Sequence, residues 1–287
     1  MAVTAWKCRD VTLDINPRTL IMGILNVTPD SFSDGGRFVT LDRAIERALQ
    51  MQEEGADIID IGGESTRPGA QSVSVAEEQD RILPVIEKLM PKLTIPISID
   101  TTKASVAEAA LARGARIIND ISGCRFDPQM PEIAARYKAG LVLMHIKGEP
   151  RTMQDQPHYE NVMNEIKTYL EKSMDIAFRA GVRRQQIVID PGIGFGKRLQ
   201  DNFQILRELR ILTKLGVPIL VGPSRKSMIG KVLDAPPEER LEGTLAAVSA
   251  AILNGAAIIR VHDVRANVRA AKIADAIVGK NEIQEML

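Results

Sequence analysis

A short β-branched run turns into a glycine-rich loop at Ile187-Val-Ile-Asp-Pro-Gly-Ile-Gly-Phe-Gly-Lys197. Such a run, followed at once by Asp190, Pro191 and Gly192, is typical of a buried parallel strand whose last side chain is acidic. A carboxylate at the end of a buried strand needs a partner, because an isolated charge is costly to remove from water. The pattern therefore predicts a polar site where this strand ends.

The same pattern, an apolar run that ends in a polar side chain, recurs along the chain. It is found at Ile58-Ile-Asp60, Ile97-Ser-Ile-Asp100, Ile117-Ile-Asn-Asp120, Leu141-Val-Leu-Met-His145 and Ile258-Ile-Arg-Val-His262. Each polar end could serve only as the N-cap of the next helix. Six such ends in one chain instead favour a shared site toward which the polar groups point.

Amphipathic patterns that predict helices follow these runs, so that the chain divides into eight strand–helix units. The predicted strands are about Leu20 to Leu25, Asp57 to Ile61, Ile97 to Asp100, Arg116 to Asn119, Leu141 to His145, Ile187 to Asp190, Pro218 to Val221 and Ala257 to Val261. Helices are predicted after each strand, the first from about Leu41 to Glu54 and the last from about Val264 to Val278. Eight units favour a closed (β/α)8 TIM barrel over a doubly wound open sheet.

Two further features complete the predicted fold. The segment from Trp6 to Ile15 alternates in polarity and ends at the turn signal Asn16-Pro17, which predicts a short N-terminal β segment. No Pro- or Ser-rich linker divides the chain, so we expect one domain over residues 1–287. The long loops after strands one, two, five and seven are then expected to be active-site lids.

Composition limits the kinds of function that are plausible. The chain has 287 residues, is 45% hydrophobic and 26% charged, and has a formal net charge of zero, which argues against a general nucleic-acid or anionic-membrane surface. It contains no run of about 18 apolar residues and no secretory signal pattern. Cys8 and Cys124 share no metal-ligand spacing, so a reducing cytoplasm is expected.

The carboxyl ends of barrel strands converge on one face, and this face would have an acidic half and a basic half. Asp100, Asn119 and Asp190 would suit a flat heterocycle with several N–H donors, since ionised carboxylates only accept hydrogen bonds. The basic half comprises cationic donors that would suit a phosphate or diphosphate. These donors are Thr66-Arg67, Lys226, Arg260 and His262.

Seven ordered motifs between residues 22 and 264 identify a family resemblance. They are Met22-Gly-Ile-Leu-Asn-Val-Thr-Pro-Asp-Ser-Phe-Ser-Asp-Gly-Gly36, Gly62-Gly-Glu-Ser-Thr-Arg-Pro-Gly69, Ser98-Ile-Asp-Thr101, Asn119-Asp-Ile-Ser-Gly123, Ile189-Asp-Pro-Gly-Ile-Gly-Phe-Gly196, Gly222-Pro-Ser-Arg-Lys-Ser227 and Arg260-Val-His-Asp-Val264. Together they resemble the dihydropteroate synthases of the folate pathway. One segment, His145-Ile-Lys-Gly, varies slightly from the more usual family form.

The resemblance implies a transferase that joins p-aminobenzoate to 6-hydroxymethyl-7,8-dihydropterin diphosphate and releases diphosphate. It implies pterin contacts from Asp100, Asn119, Asp190 and Lys226, and diphosphate contacts from Thr66, Arg67, Arg260 and His262. Catalytic roles are expected for Lys226, Asp100 and Arg260. Asn26 would help to bind Mg²⁺, and homodimers are usual for this family.

The second substrate needs an apolar slot and a cationic or hydroxyl end for its carboxylate. Pro68, Phe195, Arg225 and Ser227 offer these, so we expect them to bind p-aminobenzoate and sulfonamides, which resemble its aryl amine. Two alternatives remain: a methyltetrahydrofolate-binding corrinoid methyltransferase domain, and a catalytically silent paralogue. The first would not need the cationic donors Arg67, Lys226, Arg260 and His262, and the second would be expected to have eroded loops.

Overall fold

The structure, a computed structural model, describes residues 4–28, 37–65 and 69–280. The first described elements are two antiparallel strands, β1 (Ala5–Cys8) and β2 (Val11–Asp14), in which Trp6 pairs with Leu13. They form the short N-terminal β segment that the alternating sequence predicts. This hairpin packs across one end of a parallel sheet, where it meets strand β7 (Gly140–Met144).

The remaining strands of the described chain form a parallel sheet of eight. In chain order they are β3 (Leu20–Asn26), β4 (Ile58–Gly62), β5 (Ile97–Asp100), β6 (Ile117–Asp120), β7, β8 (Ile187–Asp190), β9 (Leu220–Val221) and β10 (Ile258–Val261). Their order in the sheet is β8-β7-β6-β5-β4-β3-β10-β9, and an Ile189–Ile219 bridge joins the two ends. The backbone N–H of Ile189 donates to the carbonyl of Pro218 at 3.0 Å there. The sheet is therefore a closed barrel, as predicted.

Helices surround the barrel and cover the outward side chains of its strands. Those of the described chain are α1 (Arg37–Glu53), α2 (Val75–Leu89), α3 (Ala104–Ala112), α4 (Met130–Tyr137), α5 (Val162–Arg179), α6 (Leu199–Glu208), α7 (Ser227–Leu233), α8 (Leu241–Leu253) and α9 (Val264–Val278). Short 3₁₀ helices occupy Arg184–Gln186, Leu209–Leu215 and Pro237–Glu239. No helix among the described residues is both long and apolar enough to span a membrane.

The helices differ from the predicted ones at several positions. Helix α1 begins at Arg37 rather than near Leu41, and the sixth predicted helix changes to 3₁₀ geometry at Leu209. Helix α7 lies in a segment that the sequence predicts as a loop. Its Gly230 lowers helix propensity, but a side chain there would overlap with the Arg240 guanidinium. Close packing of α7 against the chain at Arg240 therefore requires the glycine.

Strand side chains alternate between two apolar environments. Outward residues such as Ile59, Ile118 and Ile189 pack against the helices, whereas Ile58 and Val188 face the barrel interior with Trp6. The hairpin fits closely at this end because residue 140 is glycine. A Cβ atom at Gly140 would lie 2.6 Å from the Cys8 sulfur. The amino end of the barrel is thus filled with apolar side chains, which leaves the carboxyl end for a site.

Candidate active site

Five polar side chains that face inward at the carboxyl ends of the barrel strands define the candidate site. They are Asp60 on β4, Asp100 on β5, Asn119 on β6, Asp190 on β8 and Arg260 on β10. The four acidic and amide side chains are buried, and Arg260 is largely buried. Asp100 and Asn119 are direct neighbours in the register of β5 and β6. The structure therefore brings together most of the strand ends that the sequence predicts to share a site, whereas the strand end at His145 lies against Lys197 instead.

Arg260 forms the electrostatic centre of this cluster. Its Nε atom donates to Asp60 Oδ2 at 2.6 Å, and an Nη2 hydrogen is donated to Asp100 Oδ2 at 2.7 Å. Burial opposes the charge on Arg260, but the two carboxylates outweigh this effect and raise the pKa of the guanidinium. Burial also raises the pKa of Asp100 to about 7, although Arg260 opposes this shift. Arg260 is thus a permanent cation between two buried acids.

Asp190 ends β8 beside a turn that only glycine can form. Its Oδ1 atom accepts the backbone N–H of Gly192 at 2.7 Å. Gly192 has a φ of 71°, and a side chain there would overlap with the carbonyl oxygen of His145. Burial raises the pKa of Asp190 to about 6, opposed by this hydrogen bond and by Lys226. The turn therefore fixes a carboxylate that is poised to change protonation near neutral pH.

Lys226 links the loop after β9 to the loop after β8. Its Nζ atom lies 4.2 Å from the centroid of the Phe195 ring, a cation–π distance. Its stem crosses Gly194, where a Cβ atom would lie 3.1 Å from the Lys226 Cδ. The charge of Lys226 also opposes the rise that burial causes in the pKa values of Asp100 and Asp190. Lys226 is therefore placed between the acidic cluster and Phe195, and its substrate contacts stay a prediction.

His262 differs from the cation that the sequence suggests. Its Nδ1 atom lies 2.9 Å from Ser224 Oγ, in the loop after β9. Burial, followed by the positive charges of Arg260 and Arg225, lowers the pKa of His262 to about 3. The expectation of a cationic His262 is therefore wrong near neutral pH, where the ring is neutral. It can still donate one N–H to a ligand.

The four residues expected around p-aminobenzoate occupy different settings. Phe195 packs in a small buried cluster with neighbours that include Met144 and Met153. Arg225, with a φ of 56°, makes a bidentate pair with Asp263 at 2.6 and 3.0 Å. Ser227 is exposed at the first position of α7. The Asp263 pair holds the Arg225 guanidinium, so a role of Arg225 in binding a carboxylate would have to compete with it.

The remaining predicted residues lie around loops one and two. Asn26 ends β3 and pairs with Gly62. A Cβ atom at Gly62 would lie 3.8 Å from the Asn26 Oδ1 and 3.7 Å from the Asp100 Oδ2. Thr66, Arg67 and Pro68 lie outside the described residues. Among the described residues, Asp100, Ile121, Lys103 and Arg151 are part of the lining of a cavity of about 640 Å³. A space of this size is in the range of small-molecule sites.

Three buried residues near the site were not assigned a substrate contact from the sequence. Asp60 contacts Arg260, and it carries the same strand-end pattern as Asp100, so the sequence did contain the signal. The Lys197 Nζ atom lies 3.0 Å from His145 Nδ1 and donates to the Phe195 carbonyl at 2.9 Å. Burial lowers the pKa of Lys197 to about 7 and that of His145 well below its usual value. Nothing in the sequence distinguished Lys197 from a surface lysine.

Comparison with known proteins places this geometry in a family. Residues 22–262 match the family model described as pterin binding enzyme. A curated dihydropteroate synthase from Synechocystis sp. is 52% identical over 265 residues, which covers 92% of each chain. The matched residues 22–262 include all of the polar strand ends.

Two solved structures are similar in fold as well as sequence. The Yersinia pestis dihydropteroate synthase with a sulfonamide drug complex has a TM-score of 0.91 and 44% identity, covering 96% of this chain and 99% of that one. The Xanthomonas albilineans dihydropteroate synthase with 4-aminobenzoic acid has a TM-score of 0.89 and 44% identity, covering 97% and 99%. The chain therefore belongs to the dihydropteroate synthase family of pterin-binding enzymes.

Proposed function

We propose that this chain condenses 6-hydroxymethyl-7,8-dihydropterin diphosphate with p-aminobenzoate, giving 7,8-dihydropteroate and diphosphate. The observation that carries this proposal is the cluster of buried carboxylates, amide and guanidinium at the carboxyl end of the barrel. Burying so many polar groups is costly even when they pair with one another, and such clusters are typical of functional sites. The relatives are synthases, which also disfavours the corrinoid methyltransferase alternative.

The acidic half of the cluster suits the pterin. An aminopyrimidinone edge presents several N–H donors, and Asp190, Asp100 and the Asn119 carbonyl oxygen are acceptors. Lys226 would lie beside the same ligand, since it interacts electrostatically with both Asp100 and Asp190. We assign pterin recognition to these four residues.

The cationic half suits the diphosphate. Arg260 uses one N–H on Nε and one on Nη2 for its carboxylates, so three of its five N–H groups remain for an anion. His262 would add a neutral N–H donor beside it. Thr66 and Arg67 are assigned to the same group on the basis of the resemblance. This set would stabilise the negative charge that develops as the diphosphate leaves.

The proposed reaction breaks one bond and forms one. The bond between the pterin methylene carbon and the diphosphate oxygen breaks first, and the oxygen keeps the electron pair. The cation that remains is stabilised by the electron-rich pterin and by Asp100 and Asp190. The amine of p-aminobenzoate then donates its lone pair to this carbon, and the ammonium that forms loses one proton to solvent water. No nucleophilic side chain is required. Asp100 would stabilise the pterin cation, Arg260 would stabilise the leaving diphosphate, and Lys226 would lie beside the pterin.

The p-aminobenzoate ring is assigned to the outer part of the site. Phe195 and Pro68 would form apolar walls, and Arg225 and Ser227 would lie near the carboxylate. Support comes from Lys226, which contacts Phe195 and thereby joins this region to the acidic cluster. Sulfonamides should compete here, as expected from their likeness to the aryl amine.

Mg²⁺ is proposed to assist diphosphate release through Asn26. Magnesium prefers oxygen ligands and usually keeps waters and phosphate oxygens around it, so one protein oxygen can suffice. The described residues fit this kind of site. Asn26 offers an amide oxygen near Asp100, and the described residues contain no group of three or more acidic, His or Cys side chains that could enclose a metal. When bound, the ion would neutralise charge on the leaving diphosphate.

A homodimer is proposed from the outer surface. Ile273 and Ile277 lie one turn apart on α9 and are 66% and 68% exposed, and Val232 and Leu233 are exposed at the end of α7. Exposed apolar side chains of this kind suit a partner surface. Sedimentation of the purified protein, compared with Ile273→Glu, would test this assignment.

A cytoplasmic location is proposed because Cys8 and Cys124 are both free and buried.

One assay tests the proposed function. The protein would be incubated with the pterin diphosphate, Mg²⁺ and p-aminobenzoate, and diphosphate and dihydropteroate would be measured separately. We expect equal amounts of both products, and no dihydropteroate when p-aminobenzoate is replaced by benzoate, which lacks the amine. Tight pterin binding without any product would instead indicate a catalytically silent paralogue.

A further inference from the structure

Asp60 is a fully buried carboxylate to which the proposed reaction assigns no role. Its Oδ2 atom accepts two hydrogen bonds, from Arg260 Nε at 2.6 Å and from Asn119 Nδ2 at 2.9 Å. Strand β4, which holds Asp60, is separated from β6 and from β10 by one strand on each side. Both contacts therefore cross the barrel interior, and one oxygen atom links two residues of the proposed ligand site.

The contact with Asn119 determines which way its amide points. An amide has an oxygen and a nitrogen of similar size, and it can often turn over at little cost. An ionised carboxylate only accepts hydrogen bonds, so Asp60 requires the Asn119 NH₂ group on its side. The Asn119 oxygen is then the atom left for a ligand. A pterin edge that presents N–H donors needs this orientation.

The contact with Arg260 fixes the plane of its guanidinium. Asp60 holds Nε, and Asp100 holds Nη2 at 2.7 Å, so two different nitrogens are anchored by two different strands. A planar group anchored at two atoms cannot rotate freely. Its remaining N–H groups therefore point in a defined direction.

We propose that Asp60 is a positioning residue for pterin recognition, acting through Asn119 and Arg260 rather than on the ligand. This inference rests on the proposed function for the identity of the ligand. Asp60 would select the Asn119 orientation that presents an acceptor, and it would hold the Arg260 plane. A residue that only balanced the charge of Arg260 would not affect the Asn119 amide.

A double-mutant cycle separates these roles. Asp60→Asn keeps the volume of the side chain but adds an N–H donor that faces existing donors. We expect it to weaken hydroxymethylpterin binding roughly tenfold by calorimetry, the effect of one charge-assisted hydrogen bond. In an Asn119→Ala background the same change should cost clearly less, because the positioned amide is gone. Equal losses in both backgrounds would overturn positioning through Asn119.

Asp275→Asn is the matched control. Asp275 is also a buried aspartate that accepts two hydrogen bonds, from the N–H and the hydroxyl of Thr19, both at 2.7 Å. Thr19 precedes β3, so this carboxylate lies at the amino end of the barrel. The control should lower the melting temperature and leave pterin affinity within about twofold. A similar loss of affinity in both variants would mean that Asp60 only supports the fold.

A measurement without substrate keeps this inference separate from the proposed function. Asp100 faces Arg260, Asp60, Glu78 and Lys226, and burial followed by the charges of Asp60 and Glu78 raises its pKa to about 7. Asp60→Asn should therefore lower the NMR titration midpoint of the Asp100 carboxyl carbon. It should also shift the Asn119 side-chain amide resonances. If neither changes, Asp60 does not position the site, whether or not the wild-type protein makes dihydropteroate.

The wild-type protein offers a test that does not depend on the folding of any variant. An Asn119 NH₂ group held by Asp60, at 2.9 Å, should exchange its protons with water slowly. Exchange as fast as that of a surface asparagine would overturn the inference.

Discussion

The two ends of the same barrel strands have opposite character. At the amino end the inward side chains are Ile58, Ile117, Val188 and Ile258, which pack with Trp6 in one apolar cluster. Two residues further along the same strands, the inward side chains are Asp60, Asn119, Asp190 and Arg260. Because side chains two apart point to the same side of a strand, both layers line one interior. Each strand therefore contributes to stability at one end and to ligand chemistry at the other.

Burying the charged side chains of the polar layer is energetically costly. Burial raises the pKa values of Asp100 and Asp190 to about 7 and 6, whereas the usual value for aspartate is 3.8. An interior built only for stability would have apolar side chains in these positions. Substitutions in the apolar layer should therefore change mainly the free energy of unfolding, and substitutions in the polar layer should change mainly ligand affinity.

Arg260→Ala is expected to have the largest effect, because Arg260 contributes both to the free energy of unfolding and to ligand affinity. Removing it leaves Asp60 and Asp100 buried without their cation, which should lower the free energy of unfolding by about 3–5 kcal/mol. It should also weaken the pterin diphosphate roughly tenfold more than hydroxymethylpterin, because only the former carries the anion. Urea unfolding and calorimetry measure the two effects.

Arg116→Ala is the control for Arg260. Arg116 also makes a bidentate pair, with Asp10 at 2.9 and 3.0 Å, but its partner is 67% exposed. Its loss should change the unfolding free energy by less than about 1 kcal/mol. Equal weakening of both pterin ligands by Arg260→Ala would show that Arg260 supports the fold and does not bind diphosphate.

Trp6→Ala should affect stability alone. Trp6 is fully buried in the apolar layer, and its Nε1 donates to the Gln186 carbonyl at 2.7 Å. Truncating a buried tryptophan should cost about 3–5 kcal/mol of unfolding free energy. Below the melting temperature of the variant, pterin affinity should stay within about twofold of wild type. A large loss of affinity in the folded variant would mean that the two ends of the barrel are coupled.

The pH dependence of pterin binding should follow the buried carboxylates. Their raised pKa values favour the folded state below about pH 4, and this contribution is lost as the pH rises through about 6 to 7. Pterin N–H donors favour the ionised forms, so affinity should fall by up to roughly tenfold per pH unit below this range. Calorimetry at pH 6 in two buffers of different ionisation enthalpy should detect proton release on binding. Proton uptake would contradict this account.

Phe195→Leu is expected to have the smallest effect. The substitution removes the contact between the ring and Lys226, which is worth about 0.5–1 kcal/mol. Sulfonamide affinity should fall more than turnover, because the larger inhibitor presses on walls that the substrate barely touches. Inhibition constants and steady-state rates measure the two effects. Losses in equal proportion would place Phe195 away from the outer wall of the pocket.

Much of this arrangement was predictable from local sequence patterns. The eight strands and the closed barrel follow from apolar runs and the helical patterns between them, and most of the polar strand ends meet as predicted, although His145 does not. These features depend on the period of a strand and on the rule that parallel strands end on one face. The pairing of Arg260 with Asp60 and Asp100, which joins three strands, depends on contacts that no local pattern contains.

The errors arise where tertiary contacts override local preference. Helix α7 was missed because Gly230 and the preceding Pro-Ser-Arg-Lys motif resemble a loop. His262 was expected to be a cation, but burial beside Arg260 and Arg225 keeps it neutral. Lys197 was overlooked because its buried contacts with His145 depend on a turn in the loop after β8. Residues 66–68, which complete the predicted diphosphate and p-aminobenzoate sites, stay a prediction from the resemblance.

One paired measurement on β8 tests the separation of the two ends most directly. Asp190→Asn and Val188→Ala change inward residues two positions apart on one strand. Calorimetry should show roughly tenfold weaker pterin binding for Asp190→Asn, with the free energy of unfolding little changed. Val188→Ala should lower the free energy of unfolding by about 2 kcal/mol and leave pterin affinity within about twofold. Unchanged pterin affinity in Asp190→Asn, or a large loss in Val188→Ala, would contradict the account.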